Sequence, residues 1–230
     1  AVVVEISADG ICHVLASHSE SFQPKLQAQL LNIVSSKQVT LHELAQLDVR
    51  VAKSFATAAN HLLKYNQIAA NQIVAIGSHG QTLLHGADQS PPFSLQIGDP
   101  NTIAEETGIT TIADFRRRDI AVAGQGAPLV PCFHQNWLEK TAGVDAVLNL
   151  GGIANITLLG AAGEDPKLGF DTGPANTLLD AWVRRKLAKP YDEEGAWARQ
   201  GQIHSHLLTA LLKHPFFSVS PPKSADSSQF

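Results

Sequence analysis

The sequence predicts a mixed α/β fold, and three observations support this prediction. Short β-branched runs alternate along the chain with segments whose apolar residues recur at helical spacing. Several of the helical segments carry recognisable start and stop signals. Small and polar residues also cluster where the predicted strands end, and strand ends are where ligands bind in open α/β sheets.

Sequence signals place the elements of the first half in a clear order. They are a hairpin of residues 1–7 and 11–17 around Asp9 and Gly10, helices over 24–34 and 40–65, strands in "QIVAIGSHGQT" and "FSLQIG", and a helix in "DPNTIAEETG". Thr40 and Glu43 form a capping box. In the last helix Asp99 is the predicted N-cap, Pro100 occupies the first position, and Gly108 follows the final turn.

The second half continues the alternation. Its predicted elements are a strand in "ITTIADF", a helix in "APLVPCFHQNWL" interrupted by Pro131, two strands in "DAVLNLGGIANITLLG" and a helix in "GPANTLLDAWVRRKL". The two strands are joined through the adjacent glycines Gly151 and Gly152. No internal repeat or low-complexity segment interrupts this order.

Composition excludes several classes of protein. A chain of 230 residues with 44% hydrophobic and 17% charged residues can bury a core and suggests one or two globular domains. The formal charge is −4 and the longest basic run is the triplet 116–118, so no nucleic-acid partner is expected. No apolar run reaches the roughly 18–20 residues that span a bilayer, so no membrane partner is expected either. Two distant cysteines and no signal-peptide pattern predict reduced thiols and a cytoplasmic location.

Two polar clusters of the first half each allow two interpretations. The stretch "GSHGQT" (77–82) is either a plain turn or a turn that contacts a substrate. Its His79 and the nearby His85 have no third ligand in the sequence, so no metal site is predicted there. The arginine triplet 116–118 is either a solvated face or holds one guanidinium inward, with Asp114 and Asp119 as partners.

Two clusters of the second half are also ambiguous. Backbone N–H groups at Gly151 and Gly152 suit close approach by phosphate oxygens, but an ordinary hairpin explains the glycines equally well. Asp171 follows a short apolar pair at a predicted strand end, directly before a turn that opens a helix. Its carboxylate would either act as a proton acceptor beside amides that hold an anion, or cap the helix.

Six blocks of the chain, taken together and in order, resemble the bacterial anhydro-N-acetylmuramic acid kinase family. They lie between residues 74 and 223 and read "IGSHGQT", "LQIGDP", "IADFRRRDIAVAGQGAPLVPCFHQ", "VLNLGGIANIT", "GFDTGPANTLLDAW" and "DEEGAWARQGQI". The resemblance implies the two-domain sugar kinase/Hsp70/actin (ribonuclease H-like) fold, with residues 1–140 in the N-terminal domain and 141–230 in the C-terminal one. It also implies ATP and Mg²⁺ as cofactors.

The resemblance further implies a reaction and its residues. Members open the 1,6-anhydro ring of anhydro-N-acetylmuramic acid and phosphorylate O6, in cell-wall recycling. By match to the family's motifs, the resemblance implies that Asp171 is the catalytic base. The residues implied to bind the sugar are Gln81, Thr82, Arg118 and Asn176. Those implied to bind ATP are Gly151, Gly152, Asn155 and Gly173. A homodimer is also implied; the apolar stretch 207–212 and Phe216–Phe217 would suit a partner face, although core packing is the favoured use.

The chain departs from the family pattern at its ends. A glycine-rich phosphate loop of the family would precede residue 1, and a C-terminal adenosine-binding region would follow residue 230, so the resemblance implies an incomplete enzyme. The tail reads "PPKSADSSQF", and Ala175 stands where glycine is usual. The alternatives are a non-catalytic sugar-binding fragment, another sugar kinase of the same superfold, or a glycosidase, which would need a second carboxylate near Asp171.

Overall fold

A computed structural model describes residues 1–8, 10–138, 145–161, 164, 166–225 and 230. Their contacts divide the chain into two compact units, Ala1–Gly126 and Ala127–Phe230. The division falls before the implied boundary at 140, because the first helix of the second unit contacts that unit's central strand. Both units combine helices and strands, which confirms the mixed α/β class. None of the described helices is long and apolar enough to cross a membrane.

The first unit contains six strands and four helices among its described residues. They are β1 (Val2–Ile6), β2 (Cys12–Ser17), α1 (Pro24–Ser36), α2 (Leu41–Tyr65), β3 (Ile76–Gly77), β4 (Gln81–Gly86), β5 (Phe93–Ile97), α3 (Pro100–Thr107), β6 (Thr111–Ile112) and α4 (Phe115–Ala121). Antiparallel pairs form between β1 and β2 and between β4 and β5, whereas β3 pairs with β6 in parallel. The predicted hairpin is confirmed, and its turn residue Asp9 lies outside the described residues.

The predicted helix caps are confirmed. The Thr40 hydroxyl accepts a hydrogen bond from the Glu43 amide at 3.2 Å, and the Glu43 carboxylate accepts from the Thr40 amide at the same distance. The bond from the Thr40 hydroxyl to that carboxylate is the main reason that the pKa of Glu43 lies below its usual value. Asp99 accepts from the amides of the first turn of α3, and Gly108 ends that helix at φ 68°.

Apolar faces of α1 and α2 build the core of the first unit together with β4 and β5. The cluster comprises Leu26, Leu30, Ile33, Leu47, Val51, Leu83 and Ile97, with Phe22, Val39, Leu44 and Phe55 packed against it. These helical residues fall at the predicted spacing of three and four. Leu41, the first residue of α2, is 85% exposed and lies outside this cluster, and Ala45 is exposed as well.

Three local predictions in the first unit were wrong. The predicted strand before "GSHGQT" is reduced to the two residues of β3, after a 3₁₀ turn at Ala70–Gln72. Gln81 and Thr82 belong to the unpredicted strand β4 instead of a turn. The arginine triplet lies in the unpredicted helix α4, whose N-cap Asp114 has the left-handed φ of 64°. Such a φ is sterically uncommon outside glycine, although Asp tolerates it better than most residues.

The second unit is built on one antiparallel sheet in the order β7-β8-β9. Its described elements are α5 (Pro131–Leu138), β7 (Ala146–Leu150), β8 (Ile153–Leu158), β9 (Leu168–Pro174), α6 (Asn176–Leu187) and α7 (Ser205–Leu211), with 3₁₀ turns at Glu193–Gly195, Ala198–Gln200 and Pro215–Ser218. The paired strands around Gly151 and Gly152 are confirmed. Pro131 begins α5 instead of interrupting it, since proline is well suited to the first turn of a helix.

Apolar residues near the C-terminal end divide between core and surface. Phe216 is 8% exposed and packs as predicted. The leucines of the 207–212 stretch are instead more than half exposed, so the prediction that they serve the core does not hold within the described residues.

A buried histidine ties α5 to the sheet. His134 is 9% exposed, and its Nδ1 lies 2.9 Å from Oγ1 of Thr157, which is fully buried on β8. Burial lowers the pKa of His134 below 6.5, because an imidazolium would lose its hydration there. The neutral ring is therefore the form that the fold stabilises.

We predict that this histidine makes folding stability depend on pH. As the pH falls below 6.5, His134 is protonated to a greater extent in the unfolded chain than in the folded chain. The free energy of unfolding should therefore fall as the pH drops. Denaturant unfolding at several pH values between about 7 and 5 should show a shallower fall for His134→Asn, which cannot take up that proton. His206→Asn, on the exposed α7, should keep the slope of the unchanged protein. Equal slopes in all three proteins would contradict the prediction.

Candidate functional site

Six of the predicted site residues meet at one end of the β7-β8-β9 sheet. Asn155 on β8 pairs in register with Asp171 on β9, and Ala154 pairs with Gly173. Gly151 and Gly152 form the turn between β7 and β8, and Asn176 is the first residue of α6. The register of two strand pairs therefore brings together residues that are up to 25 positions apart.

Asp171 lies inside β9, and not after a strand end as predicted. The strand continues to Pro174 because Gly173 and Pro174 still pair with β8. The helix-cap interpretation is wrong as well, since the N-cap of α6 is Ala175. Asp171 is only 8% exposed, and its Oδ2 accepts a hydrogen bond from the Ala225 amide at 2.8 Å.

The backbone of Asp171 is also hydrogen-bonded on the side of β9 that faces away from β8. Its amide donates to the carbonyl of Lys223 at 2.9 Å. Lys223 is itself anchored, because its Nζ donates to the Phe216 carbonyl at 3.0 Å and lies 4.4 Å from the Phe216 ring centroid. The segment around residue 223 thus covers the carboxylate that the sequence singled out.

The Gly-Gly turn serves as the N-terminal cap of α6. The Gly152 carbonyl accepts from the amides of Ala175 and Thr177 at 2.9 and 3.2 Å, and the Gly151 carbonyl accepts from Asn176 at 3.0 Å. The Asn176 side chain donates to the Leu150 carbonyl at 3.0 Å. Carbonyls of the turn thereby satisfy the first amides of the helix, the groups that were predicted to hold an anion.

Two of the predicted glycines are required by local packing. A Cβ at Gly152 would lie 2.7 Å from Oγ1 of Thr177, and one at Gly173 would lie 3.0 Å from the ring of Phe217. Gly173 also has φ of 142°, a conformation that L side chains rarely adopt. Packing does not require a glycine at position 151, since an added Cβ there would lie 3.4 Å from the nearest atom, an ordinary contact.

A polar pocket of about 280 Å³ lies where β3 and β6 end in the first unit. Two parallel strands end at the same edge there, as the sequence analysis expected. Lining residues include Ser78, His79, Asp48, Asp99 and Arg117. The Asp48 carboxylate accepts from the Gly98 amide at 2.6 Å, and hydrogen bonds led by that of Thr102 hold the pKa of Asp99 below its usual value. The pocket therefore carries fixed negative charge beside one guanidinium.

Gln81 and Thr82 lie next to this pocket, but neither they nor Arg118 line it. Thr82 on β4 is opposite Gln96, a lining residue on β5, and its Oγ1 accepts from Gln96 Nε2 at 3.1 Å. Gln81 pairs with Ile97 one position away. Arg118 is exposed on α4, where its amide donates to the Asp114 carbonyl at 3.3 Å, and its guanidinium makes no hydrogen bond or ion pair with the described residues.

One arginine of the triplet does point inward, but it is Arg116. Its Nε donates to Nε2 of His79 at 2.7 Å, and its guanidinium also donates to the Gly126 carbonyl. Since Nδ1 of His79 lies 2.8 Å from the Gly80 carbonyl, Nδ1 carries the ring proton and Nε2 accepts. The side chain of Asp119 accepts from the Gly126 amide at 2.7 Å, while Arg117 pairs with Asp114 at 3.1 Å.

Comparison with known proteins assigns these motifs to one family. The family model for anhydro-N-acetylmuramic acid kinase matches residues 1–230. Proteins named anhydro-N-acetylmuramic acid kinase from Shewanella baltica and Shewanella oneidensis are each 49% identical over 217 residues, which cover 94% of this chain and 58% of theirs. The protein of that name from Shewanella frigidimarina is 48% identical over 230 residues, or 100% of this chain and 62% of its own.

The chain belongs to the anhydro-N-acetylmuramic acid kinase family. It spans about three fifths of the length of the relatives it matches. The six blocks that resemble the family lie within this match and contain every predicted site residue.

Sequence reasoning missed a cavity in the second unit. It measures about 860 Å³, within the usual range of ligand sites, and lies between α6 and the turns at 193–200. Predicted Asn176 lines it together with Asp180, Trp182, Tyr191 and Trp197. The signal was present in "DEEGAWARQGQI", a block that matched the family but whose residues received no role.

Asp192 shapes this cavity. Its carboxylate accepts hydrogen bonds from the amides of Ala198 and Trp197, both at 2.9 Å, and these bonds lower the pKa of the carboxyl. The turns at 193–200 therefore fold around one acidic side chain, which fixes Trp197 at the cavity wall.

We predict that Gly152→Ala destabilises the protein by about 1–3 kcal/mol, because its Cβ would overlap Oγ1 of Thr177. Denaturant unfolding should show a clearly smaller loss for the matched variant Gly151→Ala. In a Thr177→Ala background, which removes the opposing oxygen, the cost of Gly152→Ala should fall by at least about 0.5 kcal/mol. Additive effects of the two substitutions would refute this account of Gly152.

Proposed function

We propose that the protein containing this chain is an ATP-dependent kinase that hydrolytically opens 1,6-anhydro-N-acetylmuramic acid and phosphorylates O6, giving N-acetylmuramate 6-phosphate in peptidoglycan recycling. One observation carries the proposal. In a chain that matches the family along its length, a buried carboxylate, Asp171, pairs in register with Asn155 near the turn that caps α6.

Asp171 is the general base of this proposal. An anhydro ring has no free O6, so the enzyme must create its nucleophile. Asp171 takes a proton from a water molecule while the water oxygen bonds to C1 and the C1–O6 bond breaks. The freed O6 then attacks the γ-phosphorus, and the bond from that phosphorus to the bridging oxygen breaks, releasing ADP. One base thus couples hydrolysis to phosphoryl transfer.

ATP is proposed to approach the turn of the second unit. A Cβ at Gly151 would make only ordinary contacts, so this glycine is the one left available for a phosphate, while Gly152 packs closely on Thr177 and Gly173 of β9 on Phe217. Asn155, in register with Asp171, supplies an amide side chain near that turn. Mg²⁺ bound with ATP would supply positive charge that stabilises the negative charge developing during transfer.

Four residues are proposed to bind the sugar. Arg118 has a guanidinium that is exposed and suited to a carboxylate such as the lactyl group. Gln81 and Thr82 offer amide and hydroxyl groups beside the polar pocket of the first unit. Asn176 offers its side chain at the wall of the 860 Å³ cavity. Domain closure on the substrate is expected of the sugar kinase/Hsp70/actin-like fold.

A cytoplasmic location and a homodimer complete the proposal. A cytoplasmic kinase would have access to ATP, and that compartment would keep the two unpaired cysteines, Cys12 and Cys132, reduced. The more than half-exposed leucines Leu207, Leu208 and Leu211 on α7 offer an apolar face that a second copy could bury.

Oxygen-18 water tests the proposed reaction. The complete natural protein is given anhydro-N-acetylmuramic acid and Mg-ATP in labelled water, and the product is read promptly by mass spectrometry. We expect one label, at C1, in a phosphorylated and ring-opened sugar. Unlabelled product incubated in the same water for the same time corrects for exchange at C1.

Other outcomes identify the alternatives. An unlabelled phosphorylated product, after that correction, would contradict the hydrolytic step and leave an ordinary sugar kinase. A labelled, unphosphorylated sugar formed without ATP would indicate a glycosidase. Sugar binding with no turnover would leave a binding protein.

A further inference from the structure

Three side chains with metal-binding atoms converge in the first unit, in a part of the chain to which the proposed function gives no role. They are His18 and Glu20, which directly follow β2, and His61 in the last third of α2. One ligand atom from each lies within 4.8 Å of the other two. Oε2 of Glu20 is central, 3.0 Å from Nδ1 of His61 and 3.4 Å from Nε2 of His18.

These distances suit a tetrahedral ion. With bonds of about 2.0–2.1 Å to nitrogen and oxygen, the ligand atoms of a tetrahedral zinc site lie about 3.3 Å apart. Both edges that involve Glu20 already have this length, and only the edge between the two imidazoles has to shorten. Since both rings are partly exposed, rotation of one of them about its side-chain bonds would shorten this edge, which is at most 4.8 Å.

The surroundings favour a fixed arrangement of the two rings. Tyr65, one turn after His61 on α2, lies beside both imidazoles, with its ring centroid 5.4 Å from that of His18 and 5.6 Å from that of His61. The two histidine rings themselves meet edge-on at 5.9 Å. Backbone bonds of His18 with Ala1 at 2.8 and 2.9 Å hold the first ligand at the end of the hairpin.

We propose that His18, Glu20 and His61 form a binding site for a divalent transition-metal ion of the zinc class. Two imidazoles and one carboxylate select such an ion over Mg²⁺ or Ca²⁺, which prefer oxygen ligands. Water takes the fourth position, because the site is only partly buried. The ion links the segment after β2 to α2 across more than 40 residues, so it stabilises the first unit.

Metal titration of the complete natural protein tests the site. Zn²⁺ is added in competition with a chromophoric chelator, Mg²⁺ serves as the comparison, and Co²⁺ reports tetrahedral coordination by its visible absorption. We expect one zinc bound through this site with micromolar or tighter affinity, negligible displacement by Mg²⁺, and a melting temperature that rises with zinc. His18→Ala and His61→Ala should each weaken zinc binding at least tenfold.

Matched variants exclude general histidine effects and misfolding. The chain has 10 histidines, so His42→Ala, also on α2 and exposed, is the control and should bind zinc unchanged. Glu20→Gln keeps the shape of the side chain and both rings, and should weaken zinc binding and the cobalt signal even if a histidine variant fails to fold. Equal affinities in His42→Ala and His61→Ala, a cobalt spectrum without tetrahedral bands, or no zinc bound at millimolar concentration would overturn the proposal.

Discussion

The pairing of β8 with β9 determines where the candidate catalytic residues of the second unit lie. Asn155 pairs in register with Asp171, and the pairing continues to Pro174, so that β9 ends just before α6. The Gly-Gly turn at this same end of β8 then supplies the carbonyls that cap this helix. A slip of one residue would reverse which face each side chain occupies, so the site depends on the register more than on any single contact.

The same constraint explains why glycines recur in the motifs. Gly152 and Gly173 lie where α6 and Phe217 approach the sheet too closely for a side chain. Both glycines are therefore required for packing, whether or not they also contact a phosphate. Asp171 is likewise held from two sides, by the sheet and by the backbone of residues 223–225. A carboxylate whose position is fixed before substrate binds loses little entropy in reaching a water molecule.

Local signals in the sequence predicted much of the fold. The capping box at Thr40, the Asp99 and Gly108 boundaries of α3, and both hairpins depend on neighbouring residues, and each is confirmed. What failed depends on partners far along the chain. "DTGP" reads locally as a turn, and only its pairing with residues 153–155 makes it a strand. The helix containing Arg116 was missed for a similar reason, because His79 and Gly126 hold that arginine. Asp171 itself was identified from its motif, although its place inside β9 was not.

One isosteric substitution tests the role of Asp171 as general base. Asp171→Asn keeps an oxygen that can accept from the Ala225 amide but cannot take a proton at neutral pH. In the complete natural protein, turnover of the anhydro sugar should fall at least about 100-fold, as expected for loss of a general base, while the dissociation constant for the sugar stays within a few-fold. Asp145→Asn, an exposed carboxylate in the same unit, is the control and should behave like the unchanged protein. Turnover of Asp171→Asn near that of the control would contradict the account.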